Sequence, residues 1–251
     1  MAERVAVAAL LTVQLAAVWW FLKGDLASWR VFQGLADTGS RQKRYWRWTV
    51  KPWIAFALPS LAGLLLLGRS EALTRMPPEF ARAAAWLPHV AGEALRMMIA
   101  SAGLGLVLGT AAVVVLTRLR RSDRPVGTIG DIGAILPRNR AELLPAALLS
   151  VTAGITEEVT FRLFVPLLLT LLTGSAMLAF AATALLFGVL HLYQGWPGVV
   201  ATTVLGLVLS AVYLMAGLLW LPVLLHVLID LNGLFVRPLL LGAWRRSGAS
   251  P

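Results

Sequence analysis

The chain contains no cysteine, which excludes disulfides, thiolate-bound zinc and a cysteine nucleophile. Charge is scarce as well. Only 14% of the 251 residues are Asp, Glu, Lys or Arg, against about 25% in a soluble globular domain. Hydrophobic residues make up 59%, and the mean hydropathy is +0.79. A water-soluble fold of this size has no interior large enough for so much apolar surface, so the expected class is a polytopic membrane protein. Carboxylates are scarcer than cations, which leaves a formal net charge of +10. The cations sit between apolar runs rather than on one face, as the positive-inside rule requires, and no nucleic-acid partner is expected. Gly127, Gly130 and Gly133 follow no strand and are not a phosphate-binding fingerprint. There is no internal repeat and no low-complexity segment. The first apolar run, Val5 to Leu22, ends without a small-residue cleavage site and reads as a retained span.

What is present is a series of apolar runs near the length of about 20 residues that a crossing needs. Seven spans are expected, at about residues 5–22, 50–67, 97–117, 142–172, 175–194, 197–216 and 219–241. The fourth exceeds one crossing and is expected to tilt or break near Gly154 or Pro166. The loops 23–51 (seven Lys/Arg) and 118–140 (six Arg) are expected on the cytoplasmic side, together with the tail that carries Arg245 and Arg246. Between Pro78 and Arg96, Phe80, Trp86, Leu87, Val90 and Leu95 alternate with charges, which suggests an amphipathic helix lying on the membrane surface. Trp19, Trp20, Trp46, Trp48, Trp53, Trp196 and Trp220 fall near span ends, like an aromatic belt. His89 reads as a surface loop residue, and Gly103, Gly105 and Gly109 as helix-packing positions.

Chemistry is concentrated in the second half. From Leu143 to Val236 only six residues are Asp, Glu, Lys, Arg or His: Glu157, Glu158, Arg162, His191, His226 and Asp230. Each costs about 2.5–3.5 kcal/mol at the middle of a spanning helix, so they must face one another or a wet interior. Two Glu and two His are the residue types that do acid–base work or bind metal. Glu158 and Arg162 are i, i+4 and can pair, as are His226 and Asp230. Glu157 is turned about 100° from Glu158 and stays free of that pair. Depth is less simple. Counted from the outer helix ends, Glu157 and His191 lie roughly 22–24 Å down and His226 roughly 10 Å, so a tilt, a shifted boundary or a re-entrant start near Gly217–Pro222 is required for them to meet.

Glu157-Glu158-Val159-Thr160-Phe161-Arg162 resembles the EExxxR motif of the CPBP family, the CAAX proteases and bacteriocin-processing enzymes also called the Abi family. Phe187-Gly188-Val189-Leu190-His191 resembles its FxxxH motif, and His226-Val227-Leu228-Ile229-Asp230 its HxxxN/D motif. The likeness covers about residues 141–236. It implies glutamate-dependent peptide-bond hydrolysis: Glu157 as general base, His191 assisting, His226 and Asp230 stabilising the oxyanion, and Arg162 holding Glu158. An ionised Asp230 has no proton to donate, so its alternative role is to orient His226. Asn232 lies nearly opposite on the helix and is a poor substitute.

The expected architecture is an all-α transmembrane bundle of about seven spans with a polar site inside. It comprises an N-terminal membrane region (1–140), a protease core (141–241) and a short tail (242–251). The expected function is an intramembrane endopeptidase of the cell membrane, acting on a membrane-anchored protein or peptide within the lipid bilayer. No cofactor is favoured. The competing metal reading would place zinc on Glu157, His191 and His226, although His191 and His226 lack the HExxH spacing. Outside the protease class, the same buried groups suit a proton-coupled transporter or an inactive scaffold. The lack of inverted repeats counts against transport.

Overall fold

The computed structural model describes residues 1–119 and 132–242, all of whose regular structure is helical. α1 (Ala2–Gln33) is followed by α2 (Thr38–Pro52) and α3 (Leu58–Leu66), then by α4 (Ala81–Leu119). The second half contains α5 (Arg140–Glu158), α6 (Val165–Thr173), α7 (Ala176–Leu190), α8 (Gly195–Ala216), α9 (Trp220–Leu231) and α10 (Arg237–Leu240). Four helical stretches are long and apolar enough to cross a bilayer: Ala2–Gln33, Thr38–Leu66, Leu192–Ala216 and Trp220–Leu240. Gly105–Leu119 and Ala176–Leu190 are apolar but shorter. The chain is an integral, multi-pass, all-α membrane protein.

Three π-helical turns join collinear helices: Trp53–Ala57 between α2 and α3, Val159–Phe164 between α5 and α6, and Asn232–Val236 between α9 and α10. Each ends two residues before a proline, namely Pro59, Pro166 and Pro238. Proline has no N–H and its ring crowds the carbonyl four residues back. The helix accommodates it by widening: the residues before these prolines, Leu58, Val165 and Arg237, donate their N–H groups to Trp53, Thr160 and Asn232, five residues back. The break expected near Pro166 is therefore a π turn, and the helix continues through it. At the first turn the carbonyl of Ala55, which Pro59 cannot serve, accepts from Nε2 of the fully buried Gln14 at 3.0 Å. Ser60 Oγ donates to Gln14 Oε1 (3.2 Å) and lies 3.0 Å from Thr160 Oγ1, so one polar chain ties α1, α3 and the second π turn together.

Two segments expected to lie between spans belong to long helices. α1 runs on past Lys23 to Gln33, because Phe21, Leu22, Asp25, Trp29 and Phe32 continue a buried stripe at helical spacing after the fully apolar run has ended. Asp37 then caps α2, accepting from Gly39 N (3.3 Å) and Ser40 N (2.6 Å). Residues 81–96 do not form a separate surface helix but open α4, and Phe80 just before them is fully buried between Phe180 and Tyr213. His89 is exposed, on α4 rather than in a loop. Gly105 and Gly109 face open space rather than a packed neighbour. Most of the basic loop around Gly127 and Gly130, with Arg120, Arg121 and Arg124, and the tail with Arg245 and Arg246, lie outside the described residues.

The two sequence regions share their cores. Leu64 and Phe80 cluster with Phe164 and Leu167, and Phe56 clusters with Phe161 and Phe187. Arg41, expected in a cytoplasmic loop, is fully buried on α2, with Nε 3.0 Å from Oε1 of the equally buried Glu142 at the start of α5. Its Nη2 donates to the carbonyls of Ala134 and Leu136 and so holds the segment before α5 in place. Removing one partner of such a pair costs about 3–5 kcal/mol.

Candidate active site

The polar residues of the second half come from three helices that approach closely for identifiable reasons. α5 carries Gly154 one turn before Glu158, so both share a face. A Cβ at Gly154 would collide with the side chain and backbone of Val227, the residue after His226. Glycine thus lets α9 lie against the α5 backbone just where Glu158 projects. The depth mismatch counted from the span ends does not keep the groups apart, for Glu158 and His226 are in direct contact. Gly217 turns the chain with φ +66°, and Leu219 is 2% exposed, packed in the cluster that contains Phe164 and Leu167. On the third side, Gly188 gives α7 the same closeness to Val199 and Thr203 of α8.

Glu158 is fully buried between two cations or potential cations. Its Oε1 is 2.7 Å from His226 Nδ1, and its Oε2 is 3.0 Å from Arg162 Nε. The Arg162 contact is an ion contact without hydrogen-bond alignment, for neither Glu158 Oε2 nor any guanidinium nitrogen has a hydrogen-bond partner. The guanidinium is instead covered by the Phe187 ring, with Cζ 4.4 Å from the ring centroid. The same ring packs edge-on to His226 at 5.9 Å and lies 4.8 Å from His191. The phenylalanine of the second motif is therefore the apolar partner of all three polar groups.

Each histidine is held by Nδ1. In His226 that nitrogen meets the Glu158 carboxylate. In His191 it lies 2.8 Å from the Phe187 carbonyl oxygen, which can only accept, so Nδ1 carries the proton. Nε2 of both rings is left for chemistry. Around Nε2 of His226 stand Asp230 Oδ2 at 3.7 Å and Glu157 Oε2 at 4.0 Å. Both exceed direct hydrogen-bond length and suit a small bridging group. Glu157 Oε2 is buried without a hydrogen-bond partner. Glu157, His191 and Asp230 line one cavity of about 100 Å³; Glu158 is not part of its lining, and His226 approaches it through Nε2, beside the lining carboxylates of Glu157 and Asp230. Asn232 points elsewhere and accepts from Thr110 Oγ1 of α4 at 2.5 Å.

The rest of the wall comes largely from helices in which the sequence shows no chemistry. Asp25 and Trp29 of α1, Trp48 of α2 and Tyr193 beyond α7 all face this cavity. Trp48, read from the sequence as part of the aromatic belt, is 6% exposed and packs on Trp29 and Phe32. Trp19, Trp20, Trp46, Trp196 and Trp220 are exposed as a belt requires. The one signal for Trp29 and Trp48 was helical spacing with Phe32 and Tyr45, and for Asp25 its place within that stripe. Among the described residues no three His, Asp or Glu side chains are arranged to hold a metal ion.

An all-α membrane bundle that encloses carboxylates and histidines around a small cavity has the parts of an intramembrane hydrolase. Residues 139–232 match the family model described as Rce1-like, type II CAAX prenyl endopeptidase. Over these residues, less than half of the chain, the protein is similar to the CAAX-protease (CPBP) endopeptidases. No curated protein and no solved structure matches the chain.

Proposed function

We propose that the protein is an intramembrane endopeptidase that hydrolyses a peptide bond of a membrane-associated protein or peptide with water activated by Glu157. The observation that carries this reading is Glu157 itself: a carboxylate with a buried, unpartnered oxygen, facing a cavity that it shares with His191 and Asp230, 4.0 Å from His226 Nε2.

Glu157 takes a proton from water as the water oxygen attacks the scissile carbonyl carbon. His191, with Nδ1 fixed, offers the Nε2 lone pair to the other water hydrogen. In the imidazolium form His226 donates Nε2–H to the oxyanion, and its ring is held from behind by Glu158. Asp230 orients His226 from the cavity side. Collapse of the tetrahedral intermediate breaks the C–N bond as the amide nitrogen takes the proton held by Glu157. Glu158 and Arg162 are positioning residues, because neither reaches the cavity. Substrates that fit the class are prenylated CAAX-like tails, bacteriocin leader peptides and membrane-anchored sorting tails, cut in the cell membrane.

The test compares protein termini in cells carrying wild-type protein and the Glu157→Gln variant at equal abundance. A defined set of precursors left uncut in the variant is the expected result and names the substrate. Identical termini in both would refute the reading.

A further inference from the structure

A second concavity lies on the outside of α1 and α2, separated from the catalytic cavity by Trp48, which borders both. It is an open groove of about 560 Å³. Arg44, Arg47 and Lys51 of α2 face it, and no carboxylate lines it. Their spacing, i, i+3 and i+7, puts the three cations on one stripe of the helix, next to the buried stripe of Arg41, Tyr45 and Trp48. Arg44, Arg47 and Lys51 form no ion pair among the described residues. Arg44 Nη1 reaches Ser28 Oγ at 2.9 Å, and Lys51 Nζ donates to the Phe21 carbonyl at 2.8 Å while lying over the Trp20 ring. Gly24 makes room for that lysine, since a Cβ there would lie 2.7 Å from Nζ. The one nearby carboxylate, Asp25, is buried and lines the catalytic cavity rather than the groove, and its charge acts on Lys51 and Arg44 without an ion pair. Trp46 and Ile54 at the groove's edge are 47% and 52% exposed.

Three cations without an ion-pair partner among the described residues, with an exposed tryptophan and aliphatic side chains beside them, match the two halves of a phospholipid: an anionic head and the start of an acyl chain. We infer that this groove binds the phosphate of an anionic phospholipid headgroup. The cations lie on the side that the positive-inside rule assigns to the cytoplasm. The inference is independent of the peptidase reading.

The test uses the full-length protein in mixed micelles, with lipid retention measured by native mass spectrometry and thermal stability measured in parallel. Wild-type protein should retain phosphatidylglycerol in preference to phosphatidylcholine. Arg47→Gln should weaken that preference about fivefold, and Arg44→Gln with Arg47→Gln about twenty-five-fold, each cation contributing roughly one fivefold step. Arg47 is exposed and makes no internal contact, so its single variant reads binding without a folding defect. Equal retention of the two lipids by wild-type protein, or an unchanged preference in the double variant, would overturn the proposal. Displacement of phosphatidylglycerol by millimolar inorganic phosphate would also overturn it, since the site would then be one for a free anion.

Discussion

The Gly154→Ala variant tests whether the α5–α9 contact sets the catalytic geometry. The new methyl carbon would lie 2.9 Å from Val227 N and closer still to Val227 Cγ2. Ordinary van der Waals contact begins near 3.4 Å, so α9 must retreat by at least about 0.5 Å, more than a rotamer change at Val227 can absorb. His226 moves with Val227, and its 2.7 Å bond to Glu158 stretches to about 3.2 Å or more, the edge of hydrogen-bond range. Displacement of a catalytic group by about 1 Å costs on the order of 100-fold in rate, so a loss between about 10- and 100-fold is expected. Stability should change little. Overpacking costs about 1–3 kcal/mol, and replacing glycine by alanine within a helix returns about 1 kcal/mol. The assay is cleavage of the precursor identified with Glu157→Gln, run beside thermal unfolding in the same detergent. Adding Val227→Ala should restore only part of the rate, because the clash with the backbone nitrogen remains. A Gly154→Ala protein with wild-type turnover would refute the reasoning.

Arg162→Leu should destabilise the protein by about 3–5 kcal/mol, because it strands Glu158 in an apolar setting, and Glu158→Gln in the same chain should recover a substantial part; a fully stable Arg162→Leu single variant in a denaturation series would contradict this. His191→Ala should leave unfolding unchanged within about 1 kcal/mol while reducing cleavage by about 10²–10⁴-fold; cleavage at the wild-type rate would remove His191 from the mechanism. The Asp37 carboxyl is held below its usual range, first by the Ser40 hydroxyl and then by the Ser40 and Gly39 amides. Its cap on α2 is accordingly present above the unfolded carboxyl pKa of about 3.9 and lost as pH falls through the lower folded value. Melting curves of wild type and Asp37→Asn should therefore differ in their dependence on pH only at the acid end, and parallel curves down to pH 2 would disprove the cap's contribution.

The residues of the site are legible in the sequence because an apolar helix cannot conceal a charge: six Asp, Glu, Arg or His side chains in some ninety residues must meet or be wet. Their meeting is not legible from span boundaries. It depends on the close approach at Gly154, which a hydropathy window does not register. Trp29, Trp48 and Asp25 show the converse difficulty. Beside Lys23, Arg44 and Arg47 they look like an interface, and only the spacing of their buried stripe reveals that α1 and α2 continue inward. The Arg41–Glu142 pair joins residues 101 positions apart, and no local pattern announces a partner at that distance.

The three π turns give the site a common physical basis. A π turn shifts the register of everything beyond it by part of a turn, so side chains on either side of it leave the ordinary 3.6-residue stripe. Val159–Phe164 contains Arg162 and begins directly after Glu158; Asn232–Val236 begins two residues after Asp230; Trp53–Ala57 places Phe56 against Phe161. Each is anchored by a proline that an unbroken α-helix would tolerate only with a kink costing about 3 kcal/mol. Replacing Pro166 with alanine removes the reason for the central turn. With relaxation to a regular α-helix, Arg162 rotates away from Phe187, and Glu158 loses its neighbouring cation. The Pro166→Ala protein should then be folded and slow, its rate restored by no change at Glu157. A Pro166→Ala enzyme that cleaves as fast as wild type would show that the widened turn is held by packing alone.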